Sequence, residues 1–283
     1  MSADGFGTRL EAAFGQYGHL CVGIDPHPFL LSEWGLDDTP TGIREFSLRI
    51  IDACAGRVGL IKPQVAFFER HGAPGYLALE KLLERARESD ILTIADGKRG
   101  DIGSTMEAYA QSWLIPGQDL EADAITVSPY LGSGSLSQTI DIALANNKGV
   151  FVLAATSNPE AAELQTAVLT RGDNAGKTVA AGMLKDVERW ATQKTPEFSV
   201  GAVLGATLNL GELGIDPGDY APIPILAPGF GFQGARVEDA HHTFGPLTKN
   251  LIVTETRSVL AAGREKIHEA VAQRADEVAN ALV

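Results

Sequence analysis

ILTIADGKRGDIGST, residues 91–105, opens as an apolar, β-branched run and then places Asp96, Lys98, Arg99 and Asp101 within six positions. A buried strand continues apolar or stops at a turn, because an unpaired charge is too costly to bury. Charge crowded onto the end of such a strand reads as a paired array put to use. If the strand persists to its tip, the two-residue period of its side chains sets Asp96 and Lys98 on one face, while Gly97 leaves the other face empty. A carboxylate then stands beside an ammonium at the mouth of the strand.

Seven more short apolar runs flank this one: LCVGID (20–25), VGLIK (58–62), DAITVS (123–128), GVFVLAA (149–155), SVGAVLGAT (199–207), PILAPG (224–229) and LIVTET (251–256). Helical spacing lies between them, as in Ile43, Phe46, Ile50 and Cys54, or Tyr76, Leu79, Leu83 and Ala86, and follows the last as Ile267, Val271, Ala275, Val278 and Leu282. Eight strands alternating with helices in 283 residues predict an α/β fold whose parallel sheet closes into a (β/α)8 TIM barrel rather than staying open and doubly wound. No repeat, low-complexity tract or linker divides the chain, so residues 1–283 are expected to form a single barrel domain. The segment up to Gly18 is expected to pack as a helix across the barrel bottom. The interval Thr156–Phe198, with its polar stretch TRGDNAGKT, reads as an elaborated connection.

The composition, 45% hydrophobic and 21% charged, is that of an ordinary globular protein. With 23 Lys plus Arg against 36 Asp plus Glu, the net charge of -13 would repel a nucleic-acid polymer or an anionic membrane surface. A small anionic ligand remains open to it, held by locally concentrated cations. The two cysteines, Cys21 and Cys54, sit in apolar patterns and suggest no disulfide framework. MSADGFGTRL lacks a basic-then-apolar signal, and no apolar run reaches the roughly 20 residues that span a bilayer. A cytoplasmic protein is expected.

Barrels carry their chemistry at the C-terminal ends of the strands. Here those ends hold Asp25, Lys62, Asp96 with Lys98 and Asp101, the triplet Thr156-Ser157-Asn158, and Thr256-Arg257-Ser258. Any one of these could cap a helix or reach solvent; acids and bases at three successive strand ends are harder to explain so. The loop APGFGFQG (227–234) has glycine at 229, 231 and 234, which lets backbone amides approach an anion, and Arg257 follows at the next strand. Loops after the seventh and eighth barrel strands are a frequent phosphate site. No cofactor motif is visible. Adjacent His241 and His242 point to different sides of a helix and are read as solvated rather than as metal ligands, and His27, in a proline-bounded turn, is left out of the predicted site.

Taken together these residues resemble a known family. D-G-K-R-G-D-I-G-S-T is similar to the D-x-K-x-x-D-I-x-x-T signature of orotidine 5′-phosphate decarboxylases, and GIDP, IKPQVAFFE, ATSNP, APGFGFQG and TRS extend the likeness over most of the chain, in the manner of the longer bacterial subgroup. The resemblance implies cofactor-free decarboxylation of orotidine 5′-phosphate to uridine 5′-phosphate in pyrimidine biosynthesis, with no metal. It implies that Lys98 is the central cation and proton donor, flanked by Lys62 and Asp96. Asp101, with Ile102 and Thr105, would reach the neighbouring site of a homodimer. Asp25 and Lys62 would hold ribose hydroxyls, Ser157 would read the pyrimidine edge, Pro228 would line the pocket of the departing carboxylate, and Gln233 and Arg257 would bind phosphate. The seventh-strand loop departs from those subgroups that carry a tyrosine near it, offering only Phe230 and Phe232.

Two alternatives stand beside this reading. One is a Mg²⁺-dependent phosphosugar decarboxylase or aldolase on the same barrel; it calls for an acid where the second strand ends, and Lys62 opposes a cation there. The other is a noncatalytic phosphate-ligand sensor, which has no need of Lys98 between two acids.

Overall fold

A computed structural model describes residues 4–194 and 198–282; residues 1–3 of the opening segment, 195–197 of the long connection, and 283 lie outside the described residues. All eight expected strands form: β1 (Leu20–Ile24), β2 (Leu60–Pro63), β3 (Leu92–Arg99), β4 (Ala124–Val127), β5 (Gly149–Ala155), β6 (Val200–Leu204), β7 (Ile225–Pro228) and β8 (Leu251–Glu255). They pair in parallel and in chain order, and β8 returns to β1 to close the barrel.

Helix α1 (Phe6–Tyr17) precedes β1, and α2 (Pro28–Glu33) with α3 (Pro40–Cys54) leads to β2. Next come α4 (Ala66–Glu69) and α5 (Gly72–Glu88), then α6 (Gly103–Leu114) and α7 (Ser137–Ala145). The long connection holds α8 (Ala161–Gln165) and α9 (Val179–Lys194); α10 (Ala240–Phe244) precedes β8, and α11 (Arg257–Leu260) and α12 (Ile267–Ala281) follow it. The alternation lapses once. Between β6 and β7 the described chain makes only a 3-10 turn, Pro217–Asp219.

Local chemistry accounts for the helices. In α3, Pro40 pre-sets the first turn, the Thr39 hydroxyl accepts from the Gly42 amide at 3.2 Å, and Ile43, Phe46, Ile50 and Cys54 form one buried stripe. Stripes of this kind cover the outward residues of the strands and make the large outer core.

A smaller core fills the barrel itself: Cys21, Leu60, Ile94, Ala124, Phe151, Val203, Leu226 and Ile252 point inward, and α1 closes the bottom with Phe6, Leu10 and Ala13. The Phe6 ring meets Phe151 edge-on, with centroids 5.9 Å apart, and lies so close to Gly149 that a side chain there would collide with it. Burying Phe6 contributes about 1.5–3 kcal/mol. Both cysteines are unpaired and buried, and burial pushes the Cys21 thiol up to about 12. Among the described residues, no helix is long and apolar enough to cross a membrane.

Candidate active site

The inner face of each strand changes character along its length. Low in the barrel it carries the apolar residues of the inner core. Two residues on, the strand period brings Lys62 above Leu60, Asp96 above Ile94, Thr126 above Ala124 and Thr254 above Ile252. The same step on β5 and β7 yields Leu153 and Pro228, and on β6 the inward Val203 completes an apolar wall with Leu226. The C-terminal mouth is therefore a cavity of about 410 Å³ with charges on one side and hydrocarbon on the other.

Asp96 is the centre of the charged side. Its Oδ2 accepts from Lys62 Nζ at 2.9 Å, and its Oδ1 accepts from Lys98 Nζ at 2.7 Å and from the Thr126 hydroxyl at 2.8 Å. Burial works against the carboxylate's charge, but Lys62 and Lys98 outweigh it and hold its pKa well below the ordinary range. Burial likewise disfavours the Lys62 ammonium, and Asp96 and Asp25 together push its pKa above the ordinary lysine value. The two directions agree, as they must for a pair charged in common. Asp25 Oδ2 accepts from the Thr256 hydroxyl at 3.2 Å, while its buried Oδ1 has no hydrogen-bond partner among the described residues.

Lys98 reaches Asp96 by an unexpected route. Its φ is +46°, in the left-handed region that a β-carbon disfavours, and the β3–β4 register shifts between Ala95 and Arg99. The two side chains share a side of the sheet, as the period predicts, but a kink rather than a regular strand brings them together. The Lys98 amide donates to Thr126 Oγ1 at 2.9 Å, so one hydroxyl serves both Lys98 and Asp96. Thr126 is a member of the site that sequence reading missed. Its signal was present: a single polar residue in AITV, level with Asp96.

Asp25, Lys62, Asp96, Lys98, Ser157, Pro228, Gln233 and Arg257 all line the cavity. His27, left out of the prediction, lines it too, with its ring edge-on to Phe67; Gln64 and Thr254 are further members the sequence did not reveal. Asp101, Ile102 and Thr105 do not line it. They stand where β3 gives way to α6, with Ile102 61% exposed, and Asp101 Oδ1 accepts from the Ile102 amide at 2.8 Å rather than touching Lys98. Among the described residues of the chain, Lys98 thus has one carboxylate partner, Asp96.

The end of the cavity where phosphate is expected is built by the loop after β7. Gly229, Gly231 and Gly234 adopt φ of +122°, +67° and +103°. At Gly231 a β-carbon would stand 2.7 Å from both Glu255 Oε2 and Ser258 Oγ, so only glycine fits. The Arg257 guanidinium lies over the Phe232 ring, 3.9 Å from its centre, which gives the cation a flat seat at the cavity's edge. Beneath it, buried Glu255 accepts from Ser258 and pairs with Arg274 of α12.

The described residues contain no group of three or more His, Cys, Asp and Glu that could hold a metal ion. Where the Mg²⁺ alternative calls for an acid, the Lys62 ammonium is bonded to Asp96. His241 Nδ1 meets the Thr248 hydroxyl at 3.2 Å.

Residues 18–275 match the family described as Orotidine 5′-phosphate decarboxylase / HUMPS. Among curated relatives, the orotidine 5′-phosphate decarboxylase of Streptomyces coelicolor is 48% identical over 261 residues, 91% of this chain and 90% of that one. That of Salinispora arenicola is 46% identical over 262 residues, 92% of this chain and 91% of that one. A Streptomyces avermitilis crystal structure matches with a TM-score of 0.90 at 43% identity, covering 100% of this chain and 97% of that chain. Leishmania donovani OMP decarboxylase matches with a TM-score of 0.79 at 26% identity, covering 98% and 99%.

Proposed function

The chain belongs to the orotidine 5′-phosphate decarboxylase family, and from that premise we propose how its residues carry the conversion of orotidine 5′-phosphate to uridine 5′-phosphate and CO2. When the C6–carboxylate bond breaks, its electron pair stays on C6 in an sp² orbital that the ring's π system cannot absorb. The protein must meet that charge with a fixed cation. Lys98 is suited to it, because Asp96 holds its ammonium at 2.7 Å and needs no reorientation as the charge develops. At an effective dielectric of about 20, an ammonium about 4 Å from the carbanion is worth roughly 4 kcal/mol. Lys98 then gives a proton from Nζ to C6 and regains one from solvent.

The remaining roles follow the cavity's two walls. Ribose hydroxyls fit Asp25, whose buried Oδ1 lacks a donor, and the neighbouring Lys62. The pyrimidine edge fits Ser157. The departing CO2 fits the apolar wall at Pro228, Leu153 and Val203, where a neutral product is favoured over a carboxylate. Gln233 and Arg257 hold the phosphate, whose binding energy is spent at the distant carbon. The observation that carries the reading is the Lys62–Asp96–Lys98 array at the head of this cavity.

The active form in this reading is a homodimer in the cytoplasm, each site completed by Asp101, Ile102 and Thr105 of the other subunit. Exposed Ile102, Tyr130 and Leu131, at 61%, 78% and 52%, give the β3 and β4 loops an apolar surface that such a partner would cover. Purified protein treated with EDTA should consume the orotate absorbance of orotidine 5′-phosphate at an undiminished rate, and Lys98→Ala should abolish this while remaining folded. A metal requirement, or turnover by Lys98→Ala within about tenfold of the parent, would overturn the mechanism.

A further inference from the structure

Arg99 follows the proton donor directly, yet it does not line the cavity. Its guanidinium pairs with Glu69 of α4 and lies over the Tyr109 ring of α6, 5.5 Å from the ring's centre. The same Glu69 oxygen accepts from the Tyr76 hydroxyl of α5 at 2.6 Å. One side chain thus joins the tip of β3 to three helices, the two that follow β2 and the one that follows β3.

The place it braces is strained. Lys98 holds a left-handed φ of +46° where β3 slips its register against β4. Such a conformation at a residue with a β-carbon persists only when its surroundings over-determine it. Two backbone bonds hold one side of the kink: the Lys98 amide to Thr126 Oγ1 at 2.9 Å, and the Ser128 amide to the Arg99 carbonyl at 2.7 Å. Both run to β4 or its end. Toward the opposite neighbour, the segment after β2, the Val65 amide holds the Asp96 carbonyl at 3.3 Å ahead of the kink, and the Arg99 side chain supplies the restraint beyond it. The guanidinium is paired with Glu69 and not with Asp96, whose ion pairs are with Lys62 and Lys98.

We propose that Arg99, anchored by Glu69 and Tyr76, is a positioning residue that fixes the kinked backbone of Lys98 so that its ammonium faces the reacting carbon. The inference rests on the reading of Lys98 as proton donor. Burial works against the Glu69 charge, but hydrogen bonds from Tyr76 and Arg99 outweigh it and hold its pKa below the usual carboxylate range, so the anchor is ionised at neutral pH.

The test measures kcat and KM for orotidine 5′-phosphate, the Kd of uridine 5′-phosphate, and the unfolding midpoint, in Arg99→Ala and in Glu69→Gln. A displacement of about 1 Å at a reacting group costs on the order of a hundredfold in rate, so Arg99→Ala should lower kcat by about that factor while product affinity stays within about threefold. Added guanidinium ion should restore part of the lost kcat by occupying the vacated seat on Glu69. Glu69→Gln keeps the size of the anchor and its bond to Tyr76, and should give the same split at about tenfold, which keeps the test valid if Arg99→Ala fails to fold. A kcat within about threefold of the parent in both variants, or product affinity falling in step with kcat, would overturn the proposal. Lys98→Ala is assayed alongside: activity in that variant would refute the donor assignment itself, whereas an inactive Lys98→Ala beside a fully active Arg99→Ala would refute the positioning role alone.

Discussion

Replacing Asp96 by asparagine preserves the outline of the side chain and removes the one anion between two ammonium groups. Lys62 is 5% exposed and Asp96 8%, and their 2.9 Å contact corresponds to a Coulomb attraction of roughly 6 kcal/mol at an effective dielectric of about 20. Desolvation offsets much of that attraction in the parent. Removing one partner leaves the desolvation of the other uncompensated, and the expected loss of stability for Asp96→Asn is about 3–5 kcal/mol at neutral pH. Lys98, 43% exposed by its side chain, adds little to this figure because water screens it.

The pH dependence has a definite sign. The pKa of Asp96 lies below its unfolded value of about 3.9, so its contribution is complete above that pH and fades as the pH falls through the folded value. The pKa of Lys62 lies above its unfolded value of about 10.4, so its contribution is complete below that pH and fades as the pH rises through the folded value. In the variant, burial works to lower the Lys62 pKa with Asp96 no longer there to oppose it. The stability gap between parent and variant should therefore be widest near neutral pH, shrink below about pH 4, and narrow in alkali as the variant's Lys62 sheds its proton. Urea unfolding at a series of pH values measures the gap. A loss under about 1 kcal/mol at neutral pH, or a gap unchanged at about pH 3, would refute the assignment of Asp96 as the buried counterion.

Arg257→Ala should weaken substrate binding and turnover together, and added phosphite should partly restore activity toward a nucleoside lacking the phosphate; an unchanged preference for the phosphorylated substrate would remove Arg257 from the phosphate site. Gly231→Ala, forced into a left-handed conformation 2.7 Å from Glu255 and Ser258, should lose about 1–3 kcal/mol of stability and bind uridine 5′-phosphate more weakly, as read by unfolding and calorimetry. Lys98→Ala and Asp101→Asn chains, each inactive alone, should recover roughly a quarter of parental activity when unfolded and refolded together in equal amounts, because one site of each mixed dimer carries neither lesion. No recovery would place Asp101 in its own chain's site.

Strand positions were legible because each is a short β-branched run, and the polar strand ends were legible because charge at the end of an apolar run has few structural uses. Two-residue alternation carried Asp25, Lys62 and Asp96 to the mouth they occupy, and Arg257 joins them from the start of α11, just past the end of β8. What escaped depends on contacts distant in sequence. Thr126 reads in isolation as an ordinary β-former, and only its level on the adjoining strand makes it the partner of Asp96. Nothing in DGKRGD announces that Lys98 turns left-handed, or that Arg99 finds its counterion thirty residues earlier. Asp101, expected to serve the neighbouring subunit's site, is turned by its flanking glycines away from the cavity of its own chain and toward the start of α6. The missing helix between β6 and β7 reflects a segment, LNLGELGIDPGDYAP, whose glycines and prolines interrupt helical spacing.

Under the proposed mechanism, the left-handed backbone of Lys98 sets the enzyme's chemistry against its durability. The conformation suits glycine or asparagine, and a lysine there costs roughly 1–3 kcal/mol, which a half-exposed ion pair does not return. A laboratory selection that rewards heat resistance alone would therefore drift toward Lys98→Asn or Lys98→Gly and recover hardier, inert proteins. Engineers seeking a tougher catalyst should hold Lys98 constant and gain their margin elsewhere, in the outer helices or at the barrel floor, where stabilising changes leave the kink untouched.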